Sequence, residues 1–270
     1  MNPSRLRMAY RRGENIAPTG ALAPGHIQAN LAIVPYQNAD LFEAFLKANP
    51  RVCPLLARGE VGEVGFPSLG RDIDVRTDLP LYRVLRHGVA QPGVPHIRDL
   101  WRDDLVAFAI GCSLSFESDL VAGGVALRSY GAGLMCSAFD SALPNTAVGP
   151  FAGNMVVSMR AVRAEHVSLA AELTRKHPDA HGAPIHVGDP AAIGVDLAAP
   201  IDGIGLTEVL PDETPMFWAC GVTMERALRT AKLPLVITHA PAHMLITDRL
   251  ALSPYGLRDD LENCNFKKES

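Results

Sequence analysis

Aromatic residues make up only 6% of the 270-residue chain and charged residues 20%. With a net charge of −4 and no basic block, it lacks both the electrostatic footprint and the stacking platforms of a nucleic-acid binder. No apolar run approaches the roughly 20 residues that a membrane helix needs, and segment 1–13 has arginines but no signal-peptide core. The expected setting is the cytoplasm, without a membrane or nucleic-acid partner. Cysteine is sparse too. Cys53, Cys112, Cys136, Cys220 and Cys264 are odd in number, scattered and free of any C-x-x-C pair, which argues against a disulfide framework and a zinc knuckle. Reduced thiols are expected, and no cofactor is called for.

What the chain does have is apolar content, 48%, enough for one large core or two smaller ones. The densest chemistry lies in Pro234–Asp248, where an apolar run opens into Thr238, His239, His243 and Asp248. Leu235–Ile237 reads as a buried strand ending at Thr238 and His239, because Pro241 bars a helical continuation. Upstream, Pro215–Gly221 is a second apolar run, Thr223 a plausible N-cap and 224–232 a helix. This spacing predicts a β-α-β unit with parallel strands, placing Cys220, Gly221, Thr238 and His239 at one carboxyl edge beside a helix N-terminus suited to an anion.

In chain order, 1–12 predicts a short surface helix without function. Leu31–Val34 predicts a strand, and His26, Gln28 and Asn30 alternate before and into it, as a polar wall facing a ligand or solvent. Asp40 and Glu43 form a capping-box start for a helix ending at Asn49–Pro50. Segment 51–95 predicts loops with a short strand or two. Ile97, Leu100, Trp101, Leu105, Phe108 and Ala109 recur at helical spacing. Ser113, Ser115 and Glu117 alternate with apolar residues, as ligand contacts or as caps. The glycine-rich stretch 123–153 predicts a loop-rich crossing. A strand at Met155–Met159, a helix at Glu165–Lys176 and a strand at Pro184–Val187 follow, and Asp189 occupies a Gly-Asp-Pro turn.

The expected fold is therefore α/β, a mainly parallel sheet flanked by helices, with a smaller two-layer α+β domain. Residues 1–122 and 205–270 would form the first domain and 123–204 the second, with the cleft between them.

The runs Gln28-Ala-Asn30, Asn49–Pro54, Gly111–Glu117, Met155–Arg160, His181–Pro184, Gly188–Pro190, Phe217–Gly221 and Thr238–His243 with Thr247–Asp248 resemble the D-glutamate cyclase family over nearly the whole chain. The resemblance implies an α/β domain joined to a smaller two-layer domain, and loss of water as D-glutamate closes to 5-oxo-D-proline. It has a gap: a family segment resembling Asn-Val-Pro-Met-Tyr-Arg-Thr followed by Pro-Cys is replaced here by Met135–Asn145, without the Tyr, the Arg or that Cys.

A dehydratase needs a base, for which His239 or His243 qualify by type, and an acid, for which Glu117 or Asp248 would serve with a raised pKa. Donors for a developing oxyanion could come from N–H groups after Cys220 and from Ser113 or Ser115. His26, Gln28, Asn30, Asp189, Gly221 and Thr238 complete the candidate binding set. Cys220 as nucleophile is the weaker reading, since a thiol in an apolar strand is usually inert. A metal held by His239, His243 and Asp248 is weaker still, because i, i+4 spacing gathers ligands only on a helix. The expected function is a hydro-lyase acting on a small amino or hydroxy acid without metal. A non-catalytic carboxylate-binding protein and a metal-dependent hydrolase are the alternatives. The partner is a small-molecule carboxylate, with a homo-oligomer left open.

Overall fold

The computed structural model describes residues 1–14 and 17–251. Its elements are α1 (Pro3–Arg11), β1 (His26–Pro35), α2 (Tyr36–Ala48), β2 (Leu55–Arg58), β3 (Tyr82–Arg86), β4 (Val89–Ala90), β5 (Leu105–Gly111), α3 (Glu117–Ala122) and β6 (Ser137–Pro144). There follow β7 (Asn154–Arg163), α4 (Val167–Arg175), β8 (His186–Val187), β9 (Glu213–Ala219), α5 (Val222–Ala231), β10 (Val236–His239) and β11 (Leu245–Leu250). A seven-stranded sheet runs β2-β5-β1-β10-β3-β4, with β11 also on β1; a four-stranded sheet runs β6-β7-β9-β8. The α/β class holds. The parallel sheet does not, since every ladder between these strands is antiparallel.

The physical reason lies in burial. Along β1, Leu31 and Ile33 point into one core while Ala32 and Val34 point into another, and β5 divides its residues in the same way. A strand covered on both faces reads as a continuous apolar run, the signature usually left by parallel sheets. Here an antiparallel sheet is sandwiched and leaves the same mark. The same double burial overturns the helix expected over 97–109. Only Arg98–Leu100 turns, as a 3-10 segment, and Leu105–Gly111 is a fully buried strand, because an apolar run of that length fits either period.

The β-α-β reading also fails. β9 pairs with β7 in the smaller sheet and β10 with β1 and β3 in the larger, so α5 is a bridge between sheets and no parallel edge exists. Thr223 is not the cap of α5, which begins after Gly221. Its buried hydroxyl instead accepts the Val156 N–H at 2.9 Å, tying the helix to β7. Asp40 likewise does not cap α2, which starts at Tyr36 behind Pro35; its carboxylate meets Arg58 at 2.7 Å. Residues 123–153, expected as loops, contain β6. Phe151 sits against Phe42 and Phe45, with ring centroids at 5.3 and 6.2 Å, and Met155 packs on the same cluster.

The helix expected over 1–12 forms, but Leu6, Arg7 and Tyr10 are buried against the sheet rather than resting on it. Among the described residues no helix is long and apolar enough to cross a membrane, and Cys53, Cys112, Cys136 and Cys220 are free.

Candidate active site

The stretch first singled out is a broken strand. β11 pairs with β1 from His26 to Ala29 and β10 from Ala32 to Ile33, both antiparallel, so they run one after the other along the same edge. Between them residues 240–244 leave the ladder opposite Asn30. Ala242 adopts φ 67°, a left-handed turn uncommon for alanine. Thr19 clasps the extruded segment: its N–H donates to Ala242 O at 2.8 Å, and its Oγ1 accepts from Met244 N–H at 3.1 Å.

A cavity of about 70 Å³ opens at this break, between the two sheets. One water needs roughly 10–15 Å³ on this measure, so the space suits a ligand of a few heavy atoms. Asn30 and His239 line it from the large sheet, Ser113 from the turn after β5, Ser158 from β7, and Cys220 and Val222 from the start of α5.

His239 is buried, and its Nδ1 lies 3.3 Å from the Leu31 N–H nitrogen and 3.4 Å from the Leu31 carbonyl. One residue thus supplies a donor and an acceptor, and supports either neutral tautomer. With Nδ1 occupied, Nε2 is the nitrogen available to a ligand. Burial pushes the imidazole down to about 4, so it is neutral at pH 7; Glu225 opposes that shift, and Arg83 and His243 reinforce it. The expected near-neutral base is thereby corrected: buried in this way, His239 is a weak base. A bound anion would raise its pKa.

Gly221 and Asn30 are fitted to each other. A Cβ on Gly221 would fall 2.1 Å from Asn30 Nδ2, so the amide lies directly over the glycine. Asn30 Nδ2 donates to Gly111 O at 2.6 Å, which holds the amide in that position.

Behind the serines lies Arg160, a buried residue that the sequence reading passed over. Its Nη2 donates to Ser113 Oγ at 3.0 Å, Nη1 to Ser158 Oγ at 3.2 Å and Nε to Glu117 Oε1 at 2.9 Å. The guanidinium stacks over Phe116 and Trp218, 4.9 and 5.4 Å from their ring centres. Ser158 and Arg160 are two apart on β7 and so share a face. An arginine inside the apolar run Met155–Arg160 was the signal, since arginine is rarely fully buried without a partner.

The other polar candidates lie off the cavity lining. Glu117 is buried beneath Ser113 as the counter-ion of Arg160, at 2.7 Å, and begins α3 instead of alternating along a strand. Ser115 is spent on the backbone of Gln28, accepting its N–H at 2.9 Å, while Gln28 Nε2 donates to Thr19 O. Thr238 is buried within the sheet, and His243 is half-buried with Nδ1 2.6 Å from Pro241 O; neither is among the residues lining the cavity. Elsewhere, His26 contacts Pro24 O at the start of β1, and Asp189 caps a 3-10 turn by accepting the Ala191 N–H. Asp248 belongs to a different cluster. Burial pushes its pKa up, but bonds from Arg7 and the Arg71 N–H outweigh this and hold it below the usual carboxylate range. That disfavours an acid role, and both of its oxygens are held by Arg7. Among the described residues no three His, Cys, Asp or Glu side chains gather as metal ligands.

The thiols favour packing over nucleophilic attack. Cys112, Cys136 and Cys220 all line the cavity, and burial raises each pKa, that of Cys136 to about 12. Neutral thiols are poor nucleophiles.

Comparison with known proteins bears on the same elements. Relatives bearing the name "Putative hydro-lyase" include one from Bordetella petrii, 47% identical over 91% of this chain and 93% of its own. One from Verminephrobacter eiseniae is 46% identical over 90% and 89%, and one from Paraburkholderia phytofirmans 47% over 91% and 95%. Among solved structures, a nitrogen repressor-like protein from Methanococcus jannaschii is similar at a TM-score of 0.39 and 10% identity, covering 86% of this chain and 90% of its own, too distant to bear on the site. The sequence profile described as D-glutamate cyclase matches residues 106–248, from β5 through the broken strand that makes the cavity, and the chain belongs to that family.

Proposed function

We propose that the protein is a hydro-lyase that removes water from a small acid bound in the cavity between the sheets. The observation that carries this reading is the convergence of a buried, neutral His239 with Ser113, Ser158 and Asn30 on one small cavity. The hydro-lyase names of relatives about 47% identical support the reaction class.

Arg160 donates to both serine oxygens, and the two hydroxyls lie 3.4 Å apart, so that one hydrogen bridges them and the other is left to be given to an anionic ligand. The N-terminal end of α5, with Val222 on the wall, adds the positive end of the helix dipole. A carboxylate held there would sit near His239 and raise its pKa, turning a weak base into a useful one as substrate binds. His239 Nε2 would take the proton and return it to the departing hydroxyl, while the Leu31 carbonyl accepts Nδ1–H of the imidazolium.

Small amino and hydroxy acids should be incubated with the protein and water loss followed by NMR of the products. His239→Ala should lower turnover by roughly 10²–10⁴, the usual range for a positioned acid or base. Near-normal turnover would remove His239 from the mechanism, and binding without turnover of any acid would leave a carboxylate-binding protein.

A further inference from the structure

The buried ion pair of Arg160 and Glu117 stands between two cavities. On one side the guanidinium backs Ser113 and Ser158, which line the cavity of about 70 Å³. On the other, Glu117 lines a second cavity of about 350 Å³. Met135 lines both and is the partition between them. Its side chain lies tight against Gly20 on the wall of the second cavity, where a Cβ would fall 2.8 Å from Met135 Sδ.

The carboxylate of Glu117 is half used. Both of its contacts with Arg160, from Nε at 2.9 Å and from Nη2 at 2.7 Å, are made by Oε1. Oε2 accepts no hydrogen bond among the described residues, although the side chain is only 5% exposed, and it is the oxygen left to face the second cavity. An ionised oxygen so nearly buried needs a donor. Ser129 and Tyr130 put two hydroxyls on the same wall, and neither makes a hydrogen bond among the described residues. A carboxylate with neutral hydroxyls beside it is a setting for a cation that has several hydrogens to give, as an ammonium group has.

Size points the same way. At roughly 10–15 Å³ per water, the first cavity seats only a few heavy atoms, so a larger substrate must reach past Met135. The span is short, because Arg160 Nη2 touches both Ser113 Oγ at 3.0 Å and Glu117 Oε1 at 2.7 Å. The ion pair sets positive charge behind the serines and negative charge beyond Met135. A zwitterion laid antiparallel to it meets an opposite charge at each end, which offsets the desolvation of both. Resting on the reading of the first cavity as part of the substrate site, we propose that the second cavity is its amine pocket: a small amino acid sets its carboxylate at the serines and its ammonium on Glu117 Oε2, with Met135 controlling the passage between them.

D- and L-glutamate should be compared with D- and L-2-hydroxyglutarate, which keep both carboxylates and lack the ammonium, by calorimetry on the full chain and NMR of products. One glutamate enantiomer should bind at least roughly tenfold tighter than the hydroxyglutarate of the same hand, the usual worth of a hydrogen bond to a charged group. Glu117→Gln should bring the two to equal affinity. Damage to the fold would instead weaken both alike and keep their ratio, and an unchanged ratio in a folded variant overturns the inference. Met135→Trp, which fills the passage and spares the ion pair, should weaken glutamate binding by about tenfold or more; unchanged affinity there would overturn the passage. Hydroxyglutarate bound by the unaltered protein as tightly as glutamate overturns the amine pocket, as does a failure of both glutamates to bind. Hydroxyglutarate turnover that depends on His239 would, in that event, leave the hydro-lyase reading standing. A glutamate preference erased by Glu117→Gln, with turnover unaffected by His239→Ala, would keep the amine pocket and remove His239 from the mechanism.

Discussion

Arg7 and Arg160 are both 1% exposed, yet their hydrogen bonds end in different places. Arg7, on α1, donates to Asp248 Oδ1 at 2.8 Å, Ile246 O at 3.0 Å and Arg71 O at 2.9 Å, and approaches the fully buried Asp78 at 3.8 Å. Its partners are carboxylates and carbonyls, and it locks the N-terminal helix onto β11. Arg160 spends one edge on Glu117 and gives the rest to two hydroxyls that line the cavity. A hydroxyl that accepts from an arginine can still donate, so the charge is passed on in weakened form. Burial of a cation therefore says little about function; what its partners can do next says more.

Replacing each arginine separates the two roles. Arg160→Ala strands Glu117 and should cost about 3–5 kcal/mol of stability; it should also lower turnover by roughly 10²–10³, the range for lost oxyanion donors. Arg160→Lys should restore more stability than turnover, because a lysine cannot reach both serines in a fork. Arg7→Ala should destabilise by a similar amount yet leave turnover unchanged below its unfolding temperature. Denaturant titration beside turnover measurement decides this, and an Arg7→Ala protein that is folded but inactive would break the comparison.

A smaller effect is expected with pH. His239 and His181 are both pushed down to about 4 by burial; Arg160 adds to this at His181, and Arg83 and His243 at His239, where Glu225 opposes it. Between about pH 6.5 and 4 the unfolded chain binds protons that the folded chain refuses, so their contribution is complete above 6.5 and is lost as pH falls. Each accounts for roughly 3 kcal/mol. His239→Ala should remove about half of this acid slope, which unfolding free energies over that range would show.

The smallest expected effect concerns the fit at the cavity floor. Gly221→Ala should displace the Asn30 amide and weaken its bond to Gly111 O, costing about 1–3 kcal/mol, as overpacking does. Asn30→Ala in the same chain should recover part of that loss, whereas a purely additive result would deny that the two are coupled.

Strands at Leu31–Val34, Met155–Met159 and Leu235–Ile237 were legible because apolar β-branched runs bounded by turn residues have few other uses. Their partners were not. Covering both faces of an antiparallel sheet erases the alternation that would have marked it, and the same erasure made Leu105–Ile110 look helical. His239 and Cys220, expected at strand ends, and Asn30 and Ser113, expected from alternation with apolar residues, all line the cavity. Asp248 and Ser115 were chosen on the same grounds and proved to have structural partners in Arg7 and Gln28, which only tertiary contacts reveal. Arg160 was overlooked because an arginine next to an apolar strand reads as its solvated end.

The break in the strand beside β1 leaves one amide in an unusual position. Leu31 N–H donates to an imidazole nitrogen, His239 Nδ1, at 3.3 Å. Nδ1 cannot accept that N–H once it carries a proton itself, whether in the other tautomer or in the imidazolium. The Leu31 amide is therefore a built-in reporter: its hydrogen-exchange rate and its nitrogen chemical shift should follow the protonation of His239, one backbone position away from any ligand and without a label in the cavity.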